Sequence, residues 1–178
     1  MDANRWLAFA GGVSLGVIAD RVLPPLVSQA MPMGNPFDAL VADHRHFLNL
    51  LDQMAQSRGR GVVWRTQILL RLKRSLTAHA LAEEDVIYPM LDEQAHAERA
   101  AGALYSDHGL IKTHLYALER GLAEESPWLA RVGTLRNLLE RHARQEEDIE
   151  FPRLRALMDQ DGMTRLGRHI RREKAMVL

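Results

Sequence analysis

Histidine and glutamate recur in this chain at a spacing that suits metal binding. One His-x-x-x-Glu motif joins His79 and Glu83, and a second joins His142 and Glu146. The motifs open two thirteen-residue stretches that share seven identical residues and begin 63 residues apart. Because helical residues four apart lie on the same face, each motif is expected to present an imidazole beside a carboxylate.

A single histidine precedes each motif. His44 lies 35 residues before the first motif and His108 lies 34 residues before the second. Each of them directly follows an aspartate, Asp43 or Asp107. The whole unit therefore occurs twice, which predicts two similar helical hairpins that face each other and share one site.

The hydrophobic pattern predicts an all-α fold, an up-down-up-down four-helix bundle with short loops. The first helix is expected to begin at the cap Asn35-Pro36 and to end at the glycine-rich residues 58–61. Pro89 is expected to kink the second helix near its end. The second, third and fourth helices are expected to cover residues 63–91, 97–123 and 126–158.

Two further boundaries follow from turn and cap residues. Ser126-Pro127 is expected to start the fourth helix as a cap followed by proline. Asp161-Gly162 is expected to form a turn before a basic helical tail. The basic residues of that tail are Arg165, Arg168, Arg171, Arg172 and Lys174.

Six polar residues occupy positions that helical spacing assigns to the apolar, core-facing stripes. They are His44, His79, Glu83, His108, His142 and Glu146. Burying such groups without partners costs several kcal/mol each. Two metal ions about 3.5–4 Å apart would satisfy all six, with the carboxylates bridging and the imidazoles as terminal ligands. Ligands of these types suit iron, manganese or zinc.

A single buried histidine is more often a hydrogen-bonded core residue, and a single His-x-x-x-Glu is often a surface pair. Duplication on four apolar stripes favours the metal centre over both. Four histidines fall off these stripes and are expected to be solvated: His46, His96, His114 and His169. Four repeated acids are expected to flank or support the ligands: Glu84, Asp85, Glu147 and Asp148. Tyr88 and Phe151 occupy equivalent places and are expected to wall the pocket.

Composition excludes several classes of function. Lysine plus arginine equals aspartate plus glutamate, 23 of each in 178 residues, so no net field attracts nucleic acid. The chain has no cysteine, which excludes disulfides, iron–sulfur clusters and thiol catalysis.

The chain is expected to divide into an apolar segment with a linker (1–34), the bundle (35–160) and the basic tail (161–178). Residues 6–19 are almost wholly apolar and favour a membrane anchor or an export signal. The alternative is a short helix packed on a cytoplasmic protein. The tail is expected to be a solvated helix, or to contact anionic lipid if the N-terminal segment enters a membrane.

In their order and spacing, the histidine and glutamate motifs resemble those of the hemerythrin-like family, also called the HHE cation-binding family, over residues 36–160. The resemblance implies a four-helix bundle that holds an oxo- or hydroxo-bridged pair of iron ions. It further implies that the ions react with O2 or a related small molecule.

This chain departs from the oxygen-carrying members of that family at two positions. Those proteins have a second histidine one turn after the single histidine of the third helix, where this chain has Lys112. They also end the last motif with an aspartate five residues after its histidine, whereas Glu146 comes at four. The departures favour sensing or handling of O2, peroxide or nitric oxide over reversible O2 transport. A di-iron oxidase, peroxidase or ferroxidase and a metal-free interaction bundle remain as alternatives.

Overall fold

The computed structural model describes residues 34–177, and within that range every regular element is a helix. The predicted anchor or signal at residues 6–19 lies outside the described residues. The elements are α1 (Pro36–Ala55), α2 (Val62–Ala82), π1 (Glu83–Ile87), α3 (Tyr88–Glu93), α4 (Glu98–Arg120), α5 (Glu125–Gln145), π2 (Glu146–Glu150), α6 (Phe151–Arg155) and α7 (Gln160–Ala175).

The elements pack as the predicted four-helix bundle. The bundle has four long helical rods: α1 is the first, the continuous helix α2–π1–α3 is the second, α4 is the third, and the continuous helix α5–π2–α6 is the fourth. α1 packs against α2 and α5, while α4 packs against α2, α3 and α5. Short loops join consecutive rods, so neighbours run antiparallel. No helix among residues 34–177 has the length and apolar character needed to cross a membrane.

The basic tail is the helix α7, which packs against α1, α2 and π1. Leu166 and Ile170 are buried on its inner face, whereas most of its basic side chains are exposed. Lys174 is the exception, because its ammonium group pairs with the carboxylate of Asp43 on α1. The tail is therefore tied to the bundle by apolar burial and by the ion pair between Lys174 and Asp43.

Helix starts agree with the sequence in one case and differ in two. Asn35 caps α1, accepting a hydrogen bond from the amide of Phe37 at 3.1 Å, as predicted. The prediction for Ser126 was wrong, since α5 already begins at Glu125, whose carboxylate is held 2.5 Å from the guanidinium of Arg65. The separate turn at Asp161-Gly162 was also wrong. Asp159 caps α7 by accepting from the amide of Gly162 at 2.7 Å, which makes those residues the first helical turn.

A π-helical turn interrupts each rod that carries a His-x-x-x-Glu motif. π1 begins at Glu83 and π2 begins at Glu146, and each is closed by a backbone hydrogen bond spanning five residues. Pro89 and Pro152 lie six residues after these glutamates. Proline lacks the amide that an α-helix needs and its ring crowds the carbonyl four residues earlier, so a wider turn directly before it relieves the conflict. Such π-bulges are frequent at functional sites.

The apolar core is divided into two clusters. The first, core A, lies at the end of the bundle where α1 ends and α5 begins, and it includes Phe47, Leu51, Met54, Leu72, Leu118, Trp128 and Leu135. The second, core B, lies at the opposite end and includes Phe37, Leu40, Ile87, Tyr88, Leu91, Leu104, Phe151 and Leu154. On every rod the predicted ligands fall between the residues of core A and those of core B. The site is therefore a polar layer closed above and below by apolar packing.

Candidate metal centre

The six predicted ligands form that polar layer, and none is more than 4% exposed. Their donor atoms fall into two groups in which all the chosen atoms lie within 4.8 Å of one another. The first group contains His44, His79, Glu83 and Glu146. The second contains His108 and His142 together with Glu83, which the two groups share.

Short distances connect the donor atoms of the first group. His44 Nε2 lies 3.0 Å from His79 Nε2 and 3.1 Å from Glu146 Oε2. Glu83 Oε2 lies 3.0 Å from His79 Nε2. Two imidazoles and two carboxylates thus converge on one small volume.

The distances from the histidines of the second group to the two glutamates are slightly longer. His108 Nε2 lies 3.4 Å from Glu83 Oε2, and His142 Nε2 lies 3.4 Å from Glu146 Oε2. Each glutamate therefore has imidazoles from both groups within 3.4 Å, the position a bridging carboxylate requires.

Glutamates of the opposite repeat hold the two single histidines. Glu147 Oε1 lies 2.8 Å from His44 Nδ1, and Glu84 Oε1 lies 2.8 Å from His108 Nδ1. A carboxylate that accepts the Nδ1–H bond fixes the tautomer and turns the Nε2 lone pair towards the centre. The predicted supporting role of the repeated acids thus fits these two glutamates. Their neighbours Asp85 and Asp148 are exposed.

Aspartates of the same repeat face the histidines of the two motifs. Asp43 Oδ2 lies 3.1 Å from His79 Nδ1 and also pairs with Lys174 of α7. Asp107 Oδ2 lies 3.7 Å from His142 Nδ1, which is too long for a hydrogen bond. Sequence reasoning missed both roles. The repeated Asp-His pairs were the sequence signal for these roles, because each aspartate directly precedes a predicted ligand.

The polar layer fits a metal better than it fits the protein alone. Carboxylates hold Nδ1 of His44 and His79, and the Nε2 atoms of the two rings lie only 3.0 Å apart, a separation that a proton must bridge when no metal is bound. Among residues 34–177, Glu83 Oε1, Glu146 Oε2 and both ring nitrogens of His142 are buried without a hydrogen-bond partner. Metal cations between these atoms would replace that proton and would turn the lost hydration of the unpartnered atoms into coordination.

Tyr88 makes the two halves of the layer different. Its hydroxyl lies 2.9 Å from Glu146 Oε1 and 2.9 Å from His108 Nε2, whereas the equivalent residue Phe151 has no hydroxyl. In an α-helix two residues five apart are turned by about 140° from each other. The wider turn π1 brings the hydroxyl of Tyr88 to 3.4 Å from Glu83 Oε2. Tyr88 therefore lies against the donor atoms and donates a hydrogen bond inside the layer.

When no metal is bound, burial and neighbouring charges shift the pKa values of the side chains in this layer. Burial would lower the pKa of His79, but the carboxylates of Glu83 and Asp43 outweigh burial and raise that pKa to about 10. Burial likewise would raise the pKa of Glu83, but the neighbouring imidazoles hold that pKa well below its usual range. Burial lowers the pKa of His142. The metal-free layer is thus charged, with an imidazolium at His79 and a carboxylate at Glu83.

Metal binding is expected to release protons and to weaken as the pH falls. The proton on His79 must leave before Nε2 can donate to a metal, so protons compete with the metal more strongly at lower pH. Titrating metal into weakly buffered protein at about pH 6, 7 and 8, with proton release followed by an indicator dye, measures this competition. His46→Gln is the control, since His46 is exposed and should leave the release unchanged. Binding without proton release would contradict the assignment of His79 as a ligand.

The remaining histidines stay outside the layer. His46, His96 and His169 are exposed and His114 is half-buried, and neither donor group includes any of them.

Comparison with known proteins agrees with this geometry. The sequence profile of the hemerythrin HHE cation-binding domain matches residues 35–154, a range that contains all six buried donors. An uncharacterized hemerythrin-like protein of Schizosaccharomyces pombe is 24% identical over 144 residues, which cover 79% of this chain and 69% of the yeast protein. No solved structure gives a significant match.

Proposed function

Since the chain belongs to the hemerythrin HHE cation-binding domain family, we propose that it is a non-haem di-iron protein that senses or handles O2, peroxide or nitric oxide. The family and the buried layer of histidine and glutamate indicate a metal-binding helical bundle. The observation that carries the proposal further is the pair of donor groups that share Glu83. That arrangement suits two ions held side by side rather than one.

The donor set favours iron. Four imidazoles and two carboxylates, with no thiolate anywhere in the chain, match the ligands of non-haem iron, although manganese and zinc accept the same donors. Iron would supply one-electron redox chemistry towards O2 and related molecules. Six side chains are too few to complete two octahedral ions even when both carboxylates bridge, so positions remain for an added ligand.

The protein around the donors does the positioning. Core A and core B close the layer at both ends of the bundle and so exclude water from those two directions. Glu84 and Glu147 orient His108 and His44, which keeps the Nε2 atoms aimed at the centre. Tyr88 offers a hydroxyl in the layer, beside Glu146.

Lys112 supports handling or sensing over reversible O2 transport. The position at which the oxygen carriers have a further histidine is occupied here by Lys112, whose side chain is 61% exposed. Its ammonium group lies 2.7 Å from Glu84 Oε1 and so turns away from the donors. The ion held by His108 and His142 therefore has one imidazole fewer than in the carriers and is more open to reaction.

Metal analysis of protein produced with added iron and exposed to air tests the proposal. We expect about two iron ions per chain and the near-ultraviolet absorption of a bridged iron pair. Nitric oxide and peroxide should each change that spectrum once, in proportion to the iron. Repeated turnover of peroxide or of a reductant would instead favour the oxidase or peroxidase alternative. A folded protein that takes up no iron, manganese or zinc would contradict the proposal.

A further inference from the structure

A cavity of about 180 Å³ lies between α2, α4 and α5, beside the second donor group. His79, His108 and His142 form its inner end. Most of its wall is apolar, and the residues are Leu76, Ala80, Leu81, Ile111, Leu115 and Leu139. The exposed residues Thr77 and Lys112 also line it, so the cavity extends from the ligand layer to the surface.

The internal repeat explains why the cavity lies on this side of the bundle. Ile111 and Lys112 follow His108 at the positions where Phe47 and Leu48 follow His44. The ring of Phe47 is 1% exposed and packs edge-on against the ring of His79, with 5.0 Å between centroids. A large ring thus fills the first repeat where the second has a smaller side chain.

Lys112 and Glu84 form the polar mouth of the cavity. Lys112 extends to the surface, where its ammonium group pairs with the carboxylate of Glu84, whereas the half-buried Leu48 packs against core A. Glu84 simultaneously holds His108 Nδ1 at 2.8 Å. The Lys112–Glu84 pair is therefore held at one side of the mouth and leaves the apolar wall of the cavity accessible to a ligand.

The size and lining of the cavity define the molecule that it accepts. An engineered apolar cavity of about 150 Å³ binds benzene or xenon, so a volume of about 180 Å³ accommodates a molecule of that size. An anion would lose its hydration against the apolar wall without gaining a hydrogen bond there. We propose that this cavity is a binding site for small neutral apolar molecules, up to the size of benzene, and their route to the metal held by His108 and His142. The second half of this inference rests on the proposed function.

Filling the cavity with the residue that the repeat itself uses tests the inference. Ile111→Phe copies Phe47, and Leu110→Phe is a matched control because Leu110 is exposed on the same helix and does not line the cavity. Crystals of the metal-loaded protein pressurised with xenon should show xenon in the wild-type cavity and none there in Ile111→Phe. Nitric oxide should associate with the reduced iron protein roughly tenfold more slowly in Ile111→Phe, with iron content and final spectrum unchanged. Leu110→Phe should match the wild type in both measurements.

If Ile111→Phe is too unstable to purify, Lys112→Leu copies Leu48 at the mouth and should also slow nitric oxide. Wild-type association rates in both variants, or xenon bound only elsewhere, would overturn the inference. Xenon in the cavity of a protein whose iron ignores nitric oxide would contradict the proposed function and the route, while supporting the apolar binding site.

Discussion

Replacing Glu83 with alanine is expected to remove both metal ions, whereas replacing His108 with alanine is expected to remove only one. Glu83 belongs to both donor groups, while His108 belongs to the second alone. Without Glu83 the first group keeps two imidazoles and one carboxylate, and the second keeps two imidazoles with Glu146 as the nearest carboxylate. Only one carboxylate would then remain to bridge and partly neutralise two cations in a buried layer, so the affinity for both should fall steeply.

Elemental analysis of iron-loaded protein after desalting measures this difference as metal per chain. Glu150→Ala is the matched control, because Glu150 is a buried carboxylate, 1% exposed, that binds Gln145 and Arg153 instead of the donor groups. We expect the control to keep about two ions and Glu83→Ala to keep almost none. Equal loss of metal in Glu83→Ala and His108→Ala would contradict this expectation and would mean that the two metal ions bind only together.

The six candidate ligands stand out in the sequence because they violate a strong pattern. Apolar residues recur at helical spacing on four stripes, and a histidine such as His44, between Leu40 and Phe47, stands out against them. Duplication supplied the second constraint, since a chance polar residue does not return with the same neighbours. The bundle followed from the same periodicity and is confirmed, and the six candidate ligands lie together in one buried layer on the helices predicted to carry them.

The π-helical turns were less accessible to sequence reasoning. Helix propensity does not distinguish an α-turn from a π-turn, so Glu83 to Ile87 gave no signal of their own. Pro89 did indicate a disturbance, which was predicted as a kink, and Pro152 lies at the equivalent place of the second repeat. Only the packed structure decides that the conflict is relieved by one extra residue per turn, and that this brings Tyr88 to the centre.

The carboxylates that face Nδ1 of the histidines show a different limit of prediction from sequence. Asp43 and Glu84 lie next to a ligand in sequence, yet each contacts a histidine on another helix, 36 and 24 residues away. Such contacts depend on the rotation and height of neighbouring helices, which periodicity does not determine. The pairing of Lys174 with Asp43 is still less predictable, because it joins residues 131 apart through the docking of α7.

Metal removal is expected to lower the free energy of unfolding by about 4 kcal/mol when the free metal exceeds its dissociation constant roughly 1,000-fold. The bound metal stabilises only the folded state, because the unfolded chain does not hold six donors together. In addition, the metal-free layer keeps buried atoms of Glu83, Glu146 and His142 without hydrogen-bond partners. For a chain of this size the loss corresponds to a melting temperature roughly 10 °C lower.

Thermal unfolding with and without a chelator, on the wild type and on the double variant His79→Ala/Glu146→Ala, separates metal binding from packing. The double variant removes one histidine and one glutamate that both belong to the first donor group. Its melting temperature should respond less to the chelator than that of the wild type, because only the second donor group remains complete, although truncation in a packed layer lowers that temperature in itself. Leu110→Ala on the exposed face of α4 should retain the full response. A wild-type protein that melts at the same temperature with and without metal would show that the buried histidines and glutamates are accommodated by the bundle alone, and the interaction-module alternative would then explain them better.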